Sequence, residues 1–193
     1  RSLMSGIYKQ RQHRIERGEK LGARLSRVGH EHVYEDACVL AGTSWPGRPH
    51  FARILVNRGV CKDVTQAFNK YLGAGKVAYV PTNWVSVADA VDWIRGAGGV
   101  AVLAHPAKYR LTRSKLRRLV AGFKEAGGQG IEVISGKQDV NITSMLKRLA
   151  LEFDLHASCG SDYHGASTHW LEMGKMPPLP RDCVPVWELF LER

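Results

Sequence analysis

The sequence predicts an α/β protein in which an all-helical first part, residues 1–80, precedes an alternating helix–strand second part, residues 81–193. Three observations predict it. Apolar residues recur at helical spacing up to Leu72, where Gly73 and Gly75 close the pattern. From about Val80-Pro81 the pattern becomes helix, glycine-rich turn and short apolar strand, and this order repeats. Two of those strands, Val102-Leu-Ala-His-Pro106 and the one leading into Ser158-Cys-Gly-Ser-Asp-Tyr-His164, end in residues of metal-ligand type.

Residues 3–28 read as a helix with Leu3, Ile7, Ile15, Leu21, Leu25 and Val28 on a loose apolar stripe. Residues 41–49, rich in Gly and Pro, read as a loop, and a short helix runs from about His50 to Arg58 before Gly59. Asp63-Val-Thr-Gln66 resembles a capping box and opens a helix through Leu72. In the second part, Ser86 caps a helix carrying Val87, Val91 and Ile94 that ends at Gly98-Gly99. Strand 100–104 follows, then a helix with Leu116, Val120 and Phe123, then strand 130–134. A helix with Met145, Leu146, Leu149 and Phe153 leads into strand 155–159. Helix–strand units with short turns imply parallel strands joined by right-handed crossovers. Such sheets gather their chemistry at the strand C-termini.

The formal net charge of +10 is unevenly spread. Residues 1–80 carry 14 Lys and Arg against 6 Asp and Glu, and residues 81–193 carry 14 against 12. The basic first part suggests an anionic partner, nucleic acid or a phosphorylated small molecule, although a solvated basic face has the same composition. No apolar run is long enough for a transmembrane helix, and the expectation is no membrane partner. Cys38, Cys61, Cys159 and Cys183 form no CxxC pair, which argues against a zinc knuckle or a disulfide scaffold and for a reduced, cytoplasmic protein. The start at Arg1, without Met or a leading strand, reads as the middle of something longer.

His105, Asp162 and His164 are the candidate metal ligands, because imidazole and carboxylate suit manganese, iron and zinc ions. Asp162 and His164, two apart on extended backbone, should point to one side. Any one alone is unimpressive, since a strand-end His is more often a hydrogen-bonded structural residue; together they gain weight because the fold sends them to one face. Glu132 is mid-strand, and His30-Glu31-His32 reads as exposed loop. Arg48, just before a helix, is a candidate for gripping phosphate, with Lys76 and Lys108 as further candidate contacts. Trp84 and Tyr109 are candidates for base stacking.

The motifs "VLAHP" followed by a basic-Tyr pair, "GIEV", "GSDYH", "RPHFAR" and "YLGAGKVAYVP", taken together, resemble the PHP (polymerase and histidinol phosphatase) metallophosphoesterases. Within them, the similarity is to the 3′,5′-nucleotide bisphosphate phosphatase and 5′-3′ exoribonuclease branch, and it covers nearly the whole chain. The resemblance implies a distorted seven-stranded β/α barrel, with residues 1–80 as a helical insertion and residues 81–193 as the second barrel half. It implies that His105, Asp162 and His164 are metal ligands and that Arg48 binds substrate phosphate. The family's first half carries a His-x-His motif at a strand end, a Thr-Asp-His motif and a further Glu and His; the one His-x-His spacing here, His30-Glu31-His32, falls in the helical part, and the other motifs do not occur. A second phosphate-binding Arg of many relatives falls at Ala74, where Lys76 substitutes only partly because it lacks the guanidinium fork.

By that resemblance the expected function is metal-dependent hydrolysis of phosphate esters, on nucleotide 3′,5′-bisphosphates or the 5′ ends of short RNA. The expected cofactor is a divalent ion, Mn2+ first, with Fe2+, Zn2+ and Mg2+ as the other candidates. The alternative is a catalytically inactive basic module that binds RNA or another anion, or one half of a split enzyme whose barrel is completed by an N-terminal segment or a second chain.

Overall fold

The computed structural model describes residues 2–82, 84–163 and 173–191. The chain divides into two compact units, Leu3–Val85 and Ser86–Arg193.

The first unit is helical. Its helices are α1 (Ser2–Ser26), α2 (Val33–Ala41), α3 (Arg48–Asn57) and α4 (Val64–Ala67), the last continuing as one π-helical turn over Phe68–Leu72. Helix α1 packs on α2 through glycine. A Cβ on Gly22 would come within 2.6 Å of the Tyr34 Cβ, and one on Gly18 within 3.0 Å of the Tyr34 ring. Only the absence of side chains at these two positions, one turn apart, allows that approach. Leu21, Leu25, Val33, Ala37, Phe51, Leu55 and Leu72 form the buried core. The Asp63 carboxylate caps α4 by accepting the Gln66 N–H at 2.7 Å, and the Gln66 side chain accepts the Lys62 N–H at 2.8 Å. Arginines also serve as caps: Arg17 donates to the Val80 carbonyl at 2.9 Å, and Arg58 to the Glu31 and His32 carbonyls at 2.5 and 3.2 Å.

Two expectations change here. Helix α2 was not anticipated by the sequence pattern. Its N-cap is His32 in the left-handed region, with no side-chain cap, so the usual start signal is missing. Arg48 is not ahead of α3 but is its first residue, followed by Pro49, because the His50 ring accepts the Gly47 N–H at 3.0 Å and starts the helix two residues before the expected His50.

The second unit holds a three-stranded parallel sheet in the order β1 (Val102–Leu103), β2 (Gly130–Ser135), β3 (His156–Gly160). Helices α5 (Val87–Gly96), α6 (Arg113–Glu125) and α7 (Val140–Glu152) alternate with the strands, and a short α8 (Glu188–Leu191) follows. Ser86, Thr112 and Asp139 cap α5, α6 and α7, each accepting a backbone N–H from the first turn. The central strand is the most hydrophobic: Ile131, Val133 and Ile134 are fully buried against Leu116, Val120, Phe123, Leu146 and Ala157. This is the core that a parallel sheet needs. β1 is shorter than the expected 100–104, an edge element of two residues. The register between β2 and β3 breaks between Glu132 and Ile134. Such a bulge re-aims side chains near a strand end.

Candidate functional site

All three strands run the same way, so their C-terminal ends lie side by side. β1 leads to His105, β2 ends at Ser135 and β3 leads through Gly160 to Asp162.

Beyond β1 the chain turns sharply. His105 has φ +32° and ψ 52°, a left-handed conformation, and precedes a 3-10 turn over Pro106–Tyr109. The Lys108 N–H closes that turn on the His105 carbonyl at 2.9 Å, and the Tyr109 hydroxyl donates to the Ala104 carbonyl at 2.6 Å. The Tyr109 ring meets the His105 ring edge-on, with centroids 5.8 Å apart. The His105 Nδ1 is buried and has no hydrogen-bond partner. A buried nitrogen of this kind carries a desolvation cost unless something accepts or binds it.

Beyond β3, Asp162 has φ +53°. The expectation of extended backbone at this position is therefore corrected: the chain bends left-handed at Asp162, a conformation that short polar side chains tolerate. The Tyr163 N–H bonds the Ser161 hydroxyl at 3.3 Å and tightens the bend. The Asp162 carboxylate forms an ion pair with the Lys108 ammonium. Lys108, expected as a substrate contact, is thus engaged with a candidate ligand. His164 lies outside the described residues.

Between these two ends stands a residue that the sequence pattern passed over. Glu132, on β2, accepts the His105 backbone N–H at 2.5 Å. Its other oxygen would be 2.9 Å from a Cβ on Gly160. Burial, and then the Glu132 charge, push the Tyr109 phenol and the Cys159 thiol above their ordinary pKa values. Ser135 was also passed over. It is buried, and its Oγ has no hydrogen-bond partner. A Glu between apolar strand residues was the available signal for the first; nothing local marked the second.

Among the described residues, no group of three His, Cys, Asp or Glu side chains is placed to hold a metal ion. What the second unit brings to one sheet end is the unpartnered His105 imidazole nitrogen and the Asp162 carboxylate, donor types whose chemistry suits a divalent cation.

The other predicted contacts belong to the first unit. The Arg48 guanidinium lies over the Phe68 ring at 5.7 Å. Arg17 has its pKa lowered by burial and then by the Arg48 charge, which shows that two guanidiniums share one neighbourhood. Lys76 sits in the tight turn after Gly75, its N–H on the Gly73 carbonyl at 3.0 Å. His30 packs edge-on against Tyr71 with centroids 5.0 Å apart, a packing role. Trp84 is largely exposed. No described helix is long and apolar enough to cross a membrane.

No family model matches the chain. It is 40% identical over 187 residues, 96% of its length, to a 3′,5′-nucleoside bisphosphate phosphatase of Chromobacterium violaceum. It is also 40% identical over 177 residues, 92% of its length, to a 5′-3′ exoribonuclease of Haemophilus influenzae. The chain spans 66% and 64% of these two relatives, just under two thirds of each. Among solved structures, an amidohydrolase from Chromobacterium violaceum, with bound sulfate and no metal, superposes with a TM-score of 0.85 at 38% identity, covering 99% of this chain and 66% of that one. A Bifidobacterium adolescentis protein assigned as a metal-dependent phosphoesterase gives a TM-score of 0.75 at 25% identity, covering 97% of this chain and 64% of that one. By its motifs and by this identity along almost its whole length, the chain belongs to the family of these bisphosphate phosphatases and 5′-3′ exoribonucleases.

Proposed function

We propose that the chain carries part of a metal-dependent phosphoesterase site acting on nucleotide 3′,5′-bisphosphates or RNA 5′ ends. The observation that carries this reading is the unpartnered, buried His105 Nδ1 at the same sheet end as the Asp162 carboxylate. His105 and Asp162, with His164, would hold a divalent ion, Mn2+ first. When bound, such an ion supplies Lewis acidity toward a phosphoryl oxygen and neutralises charge at the reacting phosphate. The chain's own residues present the imidazole and the carboxylate on left-handed turns.

Lys108 pairs with the Asp162 carboxylate, and would be free to meet the substrate's phosphate if a divalent cation were bound there in its place. For the first unit we propose phosphate binding at Arg48, the first residue of α3, where the helix N-terminus and the nearby Arg17 both favour an anion. The three-stranded sheet reads as one arc of the β/α barrel that the motifs imply.

The test is Mn2+-dependent release of phosphate from a nucleoside 3′,5′-bisphosphate, with binding of a short RNA measured at rising salt in parallel. Release that disappears on chelation supports the hydrolase. Salt-sensitive binding without release favours the basic binding module, for which the 14-against-6 charge excess of residues 1–80 is the supporting observation.

A further inference from the structure

Glu132 has no part in the reading above, yet it touches the backbone on both sides of the candidate site. It stands on the central strand at the register break, facing β1 on one side and β3 on the other. Oε2 accepts the N–H of His105 at 2.5 Å, a short, charge-assisted bond. Oε1 lies against Gly160, where a Cβ would be 2.9 Å away, so a side chain at residue 160 would push the carboxylate off its position. His105 and Asp162, the residues on either side of this carboxylate, are both left-handed at φ +32° and +53°. Non-glycine residues stay in that region only where the surroundings hold them.

A strand Glu that served the fold alone would be exposed or replaced by an apolar residue, since a half-buried carboxylate costs desolvation unless its bonds repay it. Here the bonds go to the turn that carries His105. We propose that Glu132 is a positioning residue: it pins the His105 amide, leans on Gly160, and so sets the His105 imidazole and the Asp162 carboxylate at the spacing that a divalent cation requires. This rests on the reading of His105 and Asp162 as metal ligands.

The experiment uses the full chain with Glu132→Gln and, separately, Gly160→Ala. Exchange of the His105 amide is followed by NMR, Mn2+ affinity is measured by titration, and broadening of the His105 ring signals reports where Mn2+ binds. In Glu132→Gln, His105 amide exchange should accelerate by roughly tenfold and the Mn2+ Kd should rise by about 10- to 100-fold, while amides in α6 and α7 keep their protection. Gly160→Ala should reproduce both changes with Glu132 still present. An unchanged His105 amide and unchanged Kd in Glu132→Gln would overturn the proposal, as would a loss of protection spread evenly through the unit. If the wild-type chain takes up no Mn2+, the metal reading itself falls, and the His105 amide alone then decides whether Glu132 positions that turn.

Discussion

The two units use polar side chains in opposite ways. In the first, charged groups close the fold: Arg17 and Arg58 cap carbonyls left open at chain turns, and Arg58 also meets Asp36 at 2.5 Å. In the second, polar groups collect at one end of the sheet, where His105 Nδ1 and Ser135 Oγ lack partners and two non-glycine residues are bent left-handed. At this sheet end the unpartnered imidazole and hydroxyl and the left-handed His105 and Asp162 fall together beside the candidate ligands.

The largest effect should come from the first unit's core. Phe51 is completely buried, and Phe51→Ala should cost about 3–5 kcal/mol of stability, read from urea unfolding. If it costs less than ~1 kcal/mol, the first unit has no independent core to compare.

Asp162→Asn should do the reverse. Asn tolerates the left-handed backbone, so the unfolding midpoint should stay near that of the wild type, while Mn2+ affinity falls by about 100-fold, or ~2.7 kcal/mol. Wild-type Mn2+ binding by this variant would remove the contrast between the units.

Arg58→Met should lower stability by about 1 kcal/mol, reduced from a buried pair's value because the side chain is partly exposed, and should leave Mn2+ affinity unchanged. A change in Mn2+ affinity in this variant would show that the first unit's arginines do more than close the fold.

The smallest effect concerns pH. The Asp182 carboxyl is held below its ordinary value by a hydrogen bond from Lys147 and by that residue's charge, and Lys147 is correspondingly raised. A depressed Asp contributes stability above the ordinary carboxylate range and loses it as pH falls through the depressed value. A raised Lys contributes below the ordinary ammonium range and loses it as pH rises through the raised value. Asp182→Asn should therefore flatten the thermal midpoint slightly at both the acid and alkaline limbs. An unaltered profile would mean that solvent screens this exposed pair fully.

The elements that were legible share a cause. Ser86, Thr112 and Asp139 cap their helices through neighbours two or three residues away, and the apolar runs of β2 and β3 are bounded by glycine, so local sequence carries the information. Helix α2 was hidden because its entry depends on His32 adopting a left-handed conformation, with Tyr34 fitting against Gly18 and Gly22 of another helix. Glu132 was hidden for the same physical reason: alternation along a strand shows that a residue is mid-strand but not which backbone N–H, 27 positions away, it will accept.

By itself, then, the sequence determined the helical first part, the parallel strand–helix alternation, and the identity of His105 and Asp162 as strand-end residues, because capping, periodicity and glycine stops act over a few residues. Tertiary structure alone decided that Glu132 stands between those two, that Lys108 pairs with Asp162 across 54 positions, and that the backbone bends left-handed at both candidate ligands. Those are contacts between strand ends brought side by side by the sheet, and no spacing along the chain encodes them.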